Sequence, residues 1–133
     1  MTAVCFDLDG TLTDPKLGIT RSIQYAMAEI GKPVPDAAEL TWCIGPPLLQ
    51  SFEKLIGDAR LARSALTAYR ERFGDVGLYE NEIYAGIRDV LESLDAAGRR
   101  LFVATSKPTV YAERIVEHFE LSTHFEAVCG SGL

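Results

Sequence analysis

The aspartates Asp7 and Asp9 are the residues of this chain best suited to chemistry. They follow the apolar run Ala3-Val4-Cys5-Phe6 and open the segment Asp7-Leu8-Asp9-Gly10-Thr11-Leu12-Thr13-Asp14. Two carboxylates this close repel each other when both are charged, so they need a cation, a shared proton or water nearby. Mg²⁺ binds through one or two carboxylates and keeps several waters, which suits this pair. One carboxylate can then attack phosphorus while the other transfers protons.

The same Asp-x-Asp-Gly pattern also occurs in solvated turns and in calcium-binding loops. A calcium loop needs a third acidic or amide position before the glycine, whereas here the aspartates start directly from an apolar strand. Ligands of open α/β sheets bind at the carboxyl ends of the strands. Gly10 allows the backbone to turn there and to give Asp7 and Asp9 different roles, and it is also a candidate phosphate-binding residue. The pattern therefore favours a ligand site.

A second polar segment, Thr105-Ser106-Lys107-Pro108, follows the apolar run Leu101-Phe102-Val103-Ala104. Continuous hydrophobicity is typical of a parallel strand that is covered on both faces. If this strand lies beside the first one, the Thr105 hydroxyl and a helix N-terminus meet the acidic pair, an arrangement that holds phosphate oxygens. Ser106 would donate through its backbone or hydroxyl, and Lys107 would support phosphate binding. The alternative is an ordinary helix entry with a hydroxyl cap.

Two sequence patterns, helical periodicity and strand-rich segments, predict the secondary-structure elements that position these residues. Residues 16–81 have helical periodicity throughout, which predicts a helical bundle inserted between strand-rich ends. Residues 1–15 and 82–133 then form a doubly wound α/β core with a parallel sheet. Pro15–Gly18 and Gly74–Glu82 are the predicted hinges, and Pro108 is expected in the first turn of the next helix. Helix-end signals are Asp36 with Glu39, Gly57, Asp58 and Gly98.

Composition limits the classes of function. The 133 residues are 47% hydrophobic, and the net charge of −6 comes without a Lys/Arg cluster, which argues against a nucleic-acid partner. Three cysteines without a Cys-x-x-Cys pair predict buried, reduced thiols in a cytoplasmic protein. No apolar run is long enough for a membrane span or a secretory leader. His118 and His124 have no partner motif and are interpreted as structural or surface residues.

The segment 7–14 resembles the first signature motif of the haloacid dehalogenase superfamily, in particular its phosphatases. The turn Ile44-Gly45-Pro46-Pro47-Leu48 resembles one in the caps of the phosphoglycolate-phosphatase-like branch. The resemblance implies that Asp7 is the nucleophile and a Mg²⁺ ligand. It makes Asp9 the general acid/base, with its backbone carbonyl on the metal. Thr105 matches the second motif, which hydrogen-bonds the phosphoryl group.

The function implied by this resemblance is Mg²⁺-dependent hydrolysis of a small phosphomonoester, with phosphoglycolate as the leading substrate. A nucleotidase, a pyrophosphatase, a phosphomutase or a non-catalytic phosphate- or metal-binding fragment are alternatives on the same fold. A receiver-type phosphoacceptor is disfavoured because a helical insertion follows the first strand. Lys16, Arg21 and Trp42 are candidate substrate contacts in the cap, or else structural or solvated residues. The protein is expected to be a monomer or a homodimer.

Members of this branch continue beyond the point that corresponds to Gly130-Ser131-Gly132-Leu133. They carry a third-motif lysine and a fourth strand with further acids, which pairs beside the first strand. The 133 residues are therefore expected to be part of a longer phosphatase and to hydrolyse substrate slowly by themselves. The first strand would be an exposed edge, which is an aggregation liability.

Overall fold

The computed structural model describes residues 2–133; Met1, the first residue of the predicted core, lies outside them. The described residues form two compact units, one made by the chain up to Asp14 and from Glu82 onward, the other by Pro15–Asn81. The elements in chain order are β1 Ala3–Phe6, β2 Thr13–Asp14, α1 Lys16–Glu29, α2 Leu48–Ile56, α3 Ala59–Asp75, β3 Glu82–Ile83, α4 Ile87–Ala96, β4 Arg100–Pro108, α5 Thr109–His118 and β5 Ala127–Ser131. Short 3-10 helices occupy Ala37–Cys43, Gly77–Tyr79 and Ser122–His124.

The first unit is built on a parallel sheet of three strands in the order β1-β4-β5. Phe6 pairs with Val103, which in turn pairs with Val128. This sheet confirms the predicted α/β class and the expectation that the strands preceding Asp7 and Thr105 are neighbours. A separate antiparallel pair joins β2 to β3, with Thr13 opposite Ile83. Parallel strands end at the same edge of a sheet, so the polar segments after β1 and within β4 share that edge.

Among residues 2–133 only one face of this sheet is well covered, which differs from the prediction of strands buried on both sides. Leu101 and Val103 are buried, while Ala104 on the opposite face is exposed. Successive right-handed crossovers in the order β1-β4-β5 place α4 and α5 on the same side of the sheet. Cys5 and Cys129 lie on the other side and are exposed, and Cys43 alone fits the prediction of buried thiols.

The second unit is helical, and two of its helix ends match the sequence signals. Gly57 ends α2 with φ 75°, a left-handed conformation that glycine adopts without strain. The Asp58 carboxylate caps α3 by accepting hydrogen bonds from the amides of Arg60 and Leu61, at 2.9 and 3.0 Å. The buried face of α3 consists of Ala62, Ala65, Ala68, Tyr69 and Phe73.

Three local features of this unit differ from what the sequence signals suggested. The predicted hinge Pro15–Gly18 lies largely within α1, which begins at Lys16. A Cβ on Gly18 would lie 2.0 Å from the Gly77 carbonyl oxygen. Glycine at position 18 therefore allows the backbone of α1 to lie close to the backbone at Gly77. The second predicted hinge also contains regular structure, since α3 runs to Asp75 and a 3-10 turn follows. Asp36 precedes a 3-10 helix and makes no side-chain cap.

Within residues 2–133, none of the helices combines the length and the apolar content that crossing a lipid bilayer requires.

Candidate active site

The loop that carries the two aspartates is closed by its own backbone. The Leu8 carbonyl accepts hydrogen bonds from the amides of Thr11, Leu12 and Thr13, and the Gly10 amide donates to the Thr13 carbonyl at 2.8 Å. Gly10 has φ 83°, so the tight turn requires the left-handed conformation that glycine permits. Leu8 and Leu12 are fully buried and anchor the loop. The turn therefore holds Asp9 in a fixed place after β1.

The two aspartates differ in their surroundings. Asp7 is exposed at the end of β1, and its Oδ1 accepts a hydrogen bond from the Leu8 amide at 2.7 Å. Asp9 is turned inward, with a side chain only 12% exposed, and its Oδ2 lies 3.2 Å from Lys107 Nζ. The backbone thus leaves Asp7 exposed to solvent, where a substrate can reach it, and places Asp9 in a buried ion pair.

Burial shifts both members of this ion pair toward their neutral forms. Desolvation raises the pKa of Asp9, and the Lys107 ammonium opposes the rise, while repulsion from Asp7 adds to it. Desolvation lowers the pKa of Lys107, and Asp9 opposes that fall. The raised pKa makes the Asp9 carboxyl easier to protonate than an ordinary aspartate.

Thr105, Ser106 and Lys107 lie within β4, which continues to Pro108 instead of ending at Ala104. Between Ala104 and Pro108 the pairing with β5 is irregular: Ala104 pairs with Cys129 and Pro108 with Ser131. This bulge replaces the predicted helix entry, and α5 begins only at Thr109. The half-buried Thr105 accepts a hydrogen bond from the Lys107 amide through its hydroxyl at 3.1 Å. Ser106 is exposed.

The predicted magnesium site can be tested against the oxygen atoms at this edge. Asp9 Oδ1 is buried and has no hydrogen-bond partner among residues 2–133. In the same range no group of three or more His, Cys, Asp or Glu side chains could hold a metal. Mg²⁺ does not need such a group, because it is bound through one or two carboxylates, substrate oxygens and water. The exposed Asp7 carboxylate beside Asp9 fits this requirement.

The three candidate substrate contacts of the sequence lie in the second unit. Lys16 is the exposed first residue of α1, and Trp42 is 43% exposed in the 3-10 helix Ala37–Cys43. Arg21 Nη1 forms an ion pair of 2.6 Å with Glu80 Oε2, and Arg72 Nη1 binds the other oxygen of Glu80 at 2.7 Å. The structure thus gives Arg21 a partner within its own unit.

We expect this arginine pair to make the stability of the second unit depend on pH. Hydrogen bonds from Arg72 and Arg21 hold the pKa of Glu80 below its ordinary value of 4.5. A lowered pKa in the folded protein means that the stabilisation is present above pH 4.5 and is lost as the pH falls below it. Glu80→Gln should lower the free energy of unfolding at pH 7 by about 1 kcal/mol, and this loss should shrink as the pH falls below 4.5.

Urea unfolding followed by the fluorescence of Trp42, the single tryptophan, measures this effect. The matched control is Glu71→Gln, an exposed glutamate on α3, which should change stability by less than about 0.5 kcal/mol. An equal loss of stability for Glu80→Gln at pH 7 and at pH 3 would contradict the ionic interpretation.

The sequence analysis missed the residues of β5 that hold the bulge of β4. The Gly130 amide donates to Thr109 Oγ1 and Ser131 Oγ donates to the Ser106 carbonyl, both at 2.9 Å. The available sequence signal was the cluster Gly130-Ser131-Gly132, which follows the apolar residues Ala127-Val128-Cys129. His118 is exposed and His124 contacts Asp95 through Nδ1, which agrees with their interpretation as structural or surface residues.

Similar proteins have the same architecture. A 5'-nucleotidase of Pseudomonas aeruginosa is 53% identical over 131 residues, which cover 98% of this chain and 59% of that protein. The tyrosine-protein kinase PtkA of Mycobacterium tuberculosis is 41% identical over 96% of this chain and 44% of its own. The crystal structure of a predicted phosphatase from Clostridium acetobutylicum superimposes with a TM-score of 0.92 at 44% identity, covering 98% of this chain and 61% of that one.

More distant relatives, 25 to 27% identical, bear the name phosphoglycolate phosphatase. This chain spans about three fifths or less of the length of the relatives and structures just named. A family model for haloacid dehalogenase-like hydrolases matches residues 4–132. The chain therefore belongs to the haloacid dehalogenase-like hydrolase family.

Proposed function

We propose that this protein is a Mg²⁺-dependent phosphatase that hydrolyses a small phosphomonoester through an aspartyl-phosphate on Asp7. The observation that carries the proposal is the contrast between the two acids at one sheet edge. Asp7 is exposed and can attack, whereas Asp9 is buried beside Lys107 with Oδ1 unpaired. One acid is thereby suited to nucleophilic attack and the other to proton transfer.

The reaction has two steps on these residues. In the first, a carboxylate oxygen of Asp7 forms a bond to phosphorus as the bond to the leaving oxygen breaks, and Asp9 donates a proton to that oxygen. In the second, water attacks phosphorus, Asp9 takes the water proton, and the bond to Asp7 breaks to release orthophosphate. Hydrogen bonds from Thr105 and Ser106 hold the phosphoryl oxygens in both steps.

Mg²⁺ would be held by the Asp7 carboxylate and the Asp9 backbone carbonyl, and it supplies positive charge against the phosphoryl oxygens. The relatives and structures named above are longer than the part that this chain matches. Residues 16–81 are proposed to act as the inserted helical domain that selects the substrate.

Two substrate classes have support. Nucleoside 5'-monophosphates rank first, because the 53% identical relative is named a 5'-nucleotidase. Phosphoglycolate, which the turn Ile44–Leu48 favours, ranks second, since the relatives of that name are only 25 to 27% identical. The cytoplasmic location and the choice between a monomer and a homodimer stay predictions.

Orthophosphate release from nucleoside 5'-monophosphates, phosphoglycolate and pyrophosphate tests the proposal, with Mg²⁺ or with EDTA present. We expect release that needs Mg²⁺ and is fastest with a nucleoside monophosphate. Faster release from phosphoglycolate would reverse the order of the two substrates. No release from any ester, together with phosphate transfer from ATP to a tyrosine peptide, would overturn the phosphatase proposal in favour of the activity named for PtkA.

A further inference from the structure

Lys107 is the only charged side chain that the structure buries among residues 2–133. Burying an ammonium group costs several kcal/mol unless an opposite charge compensates it. Asp9 supplies that charge, at 3.2 Å, with exposed fractions of 6% and 12% for the two side chains. A lysine that holds a substrate phosphate must present its ammonium to the space that the substrate enters. The ammonium of Lys107 is instead directed to a carboxylate of the protein itself.

The two oxygens of Asp9 are used differently. Oδ2 contacts Lys107 Nζ, and the buried Oδ1 has no hydrogen-bond partner within residues 2–133. A carboxylate fixed through one oxygen cannot rotate freely, so the position of the other oxygen is fixed as well. General acid/base catalysis requires such a fixed oxygen within reach of the reacting proton. The contact of Oδ2 with Lys107 supplies the fixed orientation that this requirement includes.

The chain uses several contacts to place Lys107. The bulge of β4 sets two residues of β5, Gly130 and Ser131, against the segment from Thr105 to Thr109. The Lys107 amide donates to Thr105 Oγ1, and the segment on either side of Lys107 is tied to β5 by the hydrogen bonds of Gly130 and Ser131. Gly130 also leaves room for the Lys107 carbonyl, which would lie 2.4 Å from a Cβ at that position. These contacts fix the backbone that carries Lys107.

We propose that Lys107 is a positioning residue that holds the Asp9 carboxylate through Oδ2 in the orientation used for proton transfer, and that it does not hold the substrate phosphate. The inference rests on the proposed function, because it assigns the proton transfer to Asp9. Thr105 and Ser106 then carry the phosphoryl contacts of this segment. Lys107 affects the chemical step only through the carboxylate that it orients.

A double-mutant cycle on the protein tests this assignment. Lys107→Met should lower kcat about a hundredfold and leave KM within about threefold, since a misplaced proton-transfer group affects the chemical step. In an Asp9→Asn background the same substitution should change kcat less than about threefold, because the carboxylate that Lys107 orients is already absent. The control Lys54→Met, an exposed lysine on α2, should leave both constants unchanged.

Orthophosphate binding, measured by calorimetry, separates positioning from phosphate binding. The double variant Asp9→Asn/Lys107→Met contains neither buried charge, whereas Asp9→Asn removes the carboxylate that compensates the Lys107 ammonium, so circular dichroism first checks that both variants are folded. We expect equal phosphate affinities for the two. A loss of tenfold or more on removal of Lys107, or equal kcat effects in both backgrounds, would overturn the assignment.

The crystal structure of Lys107→Met gives a readout that does not depend on turnover. We expect the Asp9 carboxylate to rotate away from its place in the wild-type protein. If wild-type protein hydrolyses no phosphomonoester, the proposed function fails, and the orientation of Asp9 still decides the role of Lys107. An unchanged Asp9 carboxylate would show that Lys107 does not position it.

Discussion

Replacing Asp7 by asparagine is expected to abolish phosphate release, with kcat lower by at least about a thousandfold, because an amide cannot form the covalent intermediate. The side chain keeps its size, and an exposed residue at the end of β1 contributes little to packing. Stability and the circular dichroism spectrum should therefore stay as in the wild-type protein. Orthophosphate release under saturating substrate and Mg²⁺ is the measurement.

Two further observations make this result specific to the nucleophile. Asp36→Asn is the matched control, since Asp36 is exposed and makes no side-chain cap, and its activity should equal that of the wild-type protein. Rapid quenching with ³²P-labelled substrate should trap an acid-stable, hydroxylamine-sensitive phosphoprotein with wild-type Asp7 and none with Asp7→Asn. Activity within about tenfold of wild type in Asp7→Asn would exclude Asp7 as the nucleophile.

Replacing Gly130 by alanine is expected to damage both stability and activity. The added Cβ would lie 2.4 Å from the Lys107 carbonyl and 2.8 Å from the Thr109 amide. Both are backbone atoms, so the strand must move, and we expect a loss of about 2 to 3 kcal/mol in the free energy of unfolding. The movement shifts Thr105 and Lys107, and a displacement of about 1 Å at such residues lowers kcat by roughly a hundredfold.

Urea unfolding followed by circular dichroism, together with phosphate release, measures the two effects. Gly132→Ala is the control two residues further along, because a Cβ there meets nothing within 4 Å. Its free energy of unfolding should stay within about 0.5 kcal/mol of the wild-type value. If Gly130→Ala were as stable and as active as Gly132→Ala, the close contact between β5 and the bulge would have no role in shaping the site.

The Lys107 and Gly130 predictions concern the same segment and can be distinguished from each other. Lys107→Met removes one charge and keeps the backbone of the bulge, whereas Gly130→Ala displaces the backbone that carries Thr105, Ser106 and Lys107. The first should therefore affect kcat alone. The second should also weaken orthophosphate binding, because the hydroxyls that hold the phosphoryl group move.

The sequence by itself determined the features that depend on neighbours along the chain. Asp7 and Asp9 after an apolar strand indicated the candidate site, and the order of strands and helices predicted the parallel sheet that the structure contains. Gly57 and Asp58 marked helix ends correctly, because capping involves only the adjacent turn. Periodicity and caps are local, so they can be read without the fold.

Only the tertiary structure decided which side chains are buried and with what they pair. The exposure of Cys5 and Cys129 follows from helices that cover one sheet face, and the ion pair of Asp9 joins residues 98 positions apart, 9 and 107. The bulge around Lys107 depends on Gly130 and Ser131 of another strand. Apolar runs and polar segments do not encode such long-range contacts, because burial and pairing are set by the elements that meet when the chain folds.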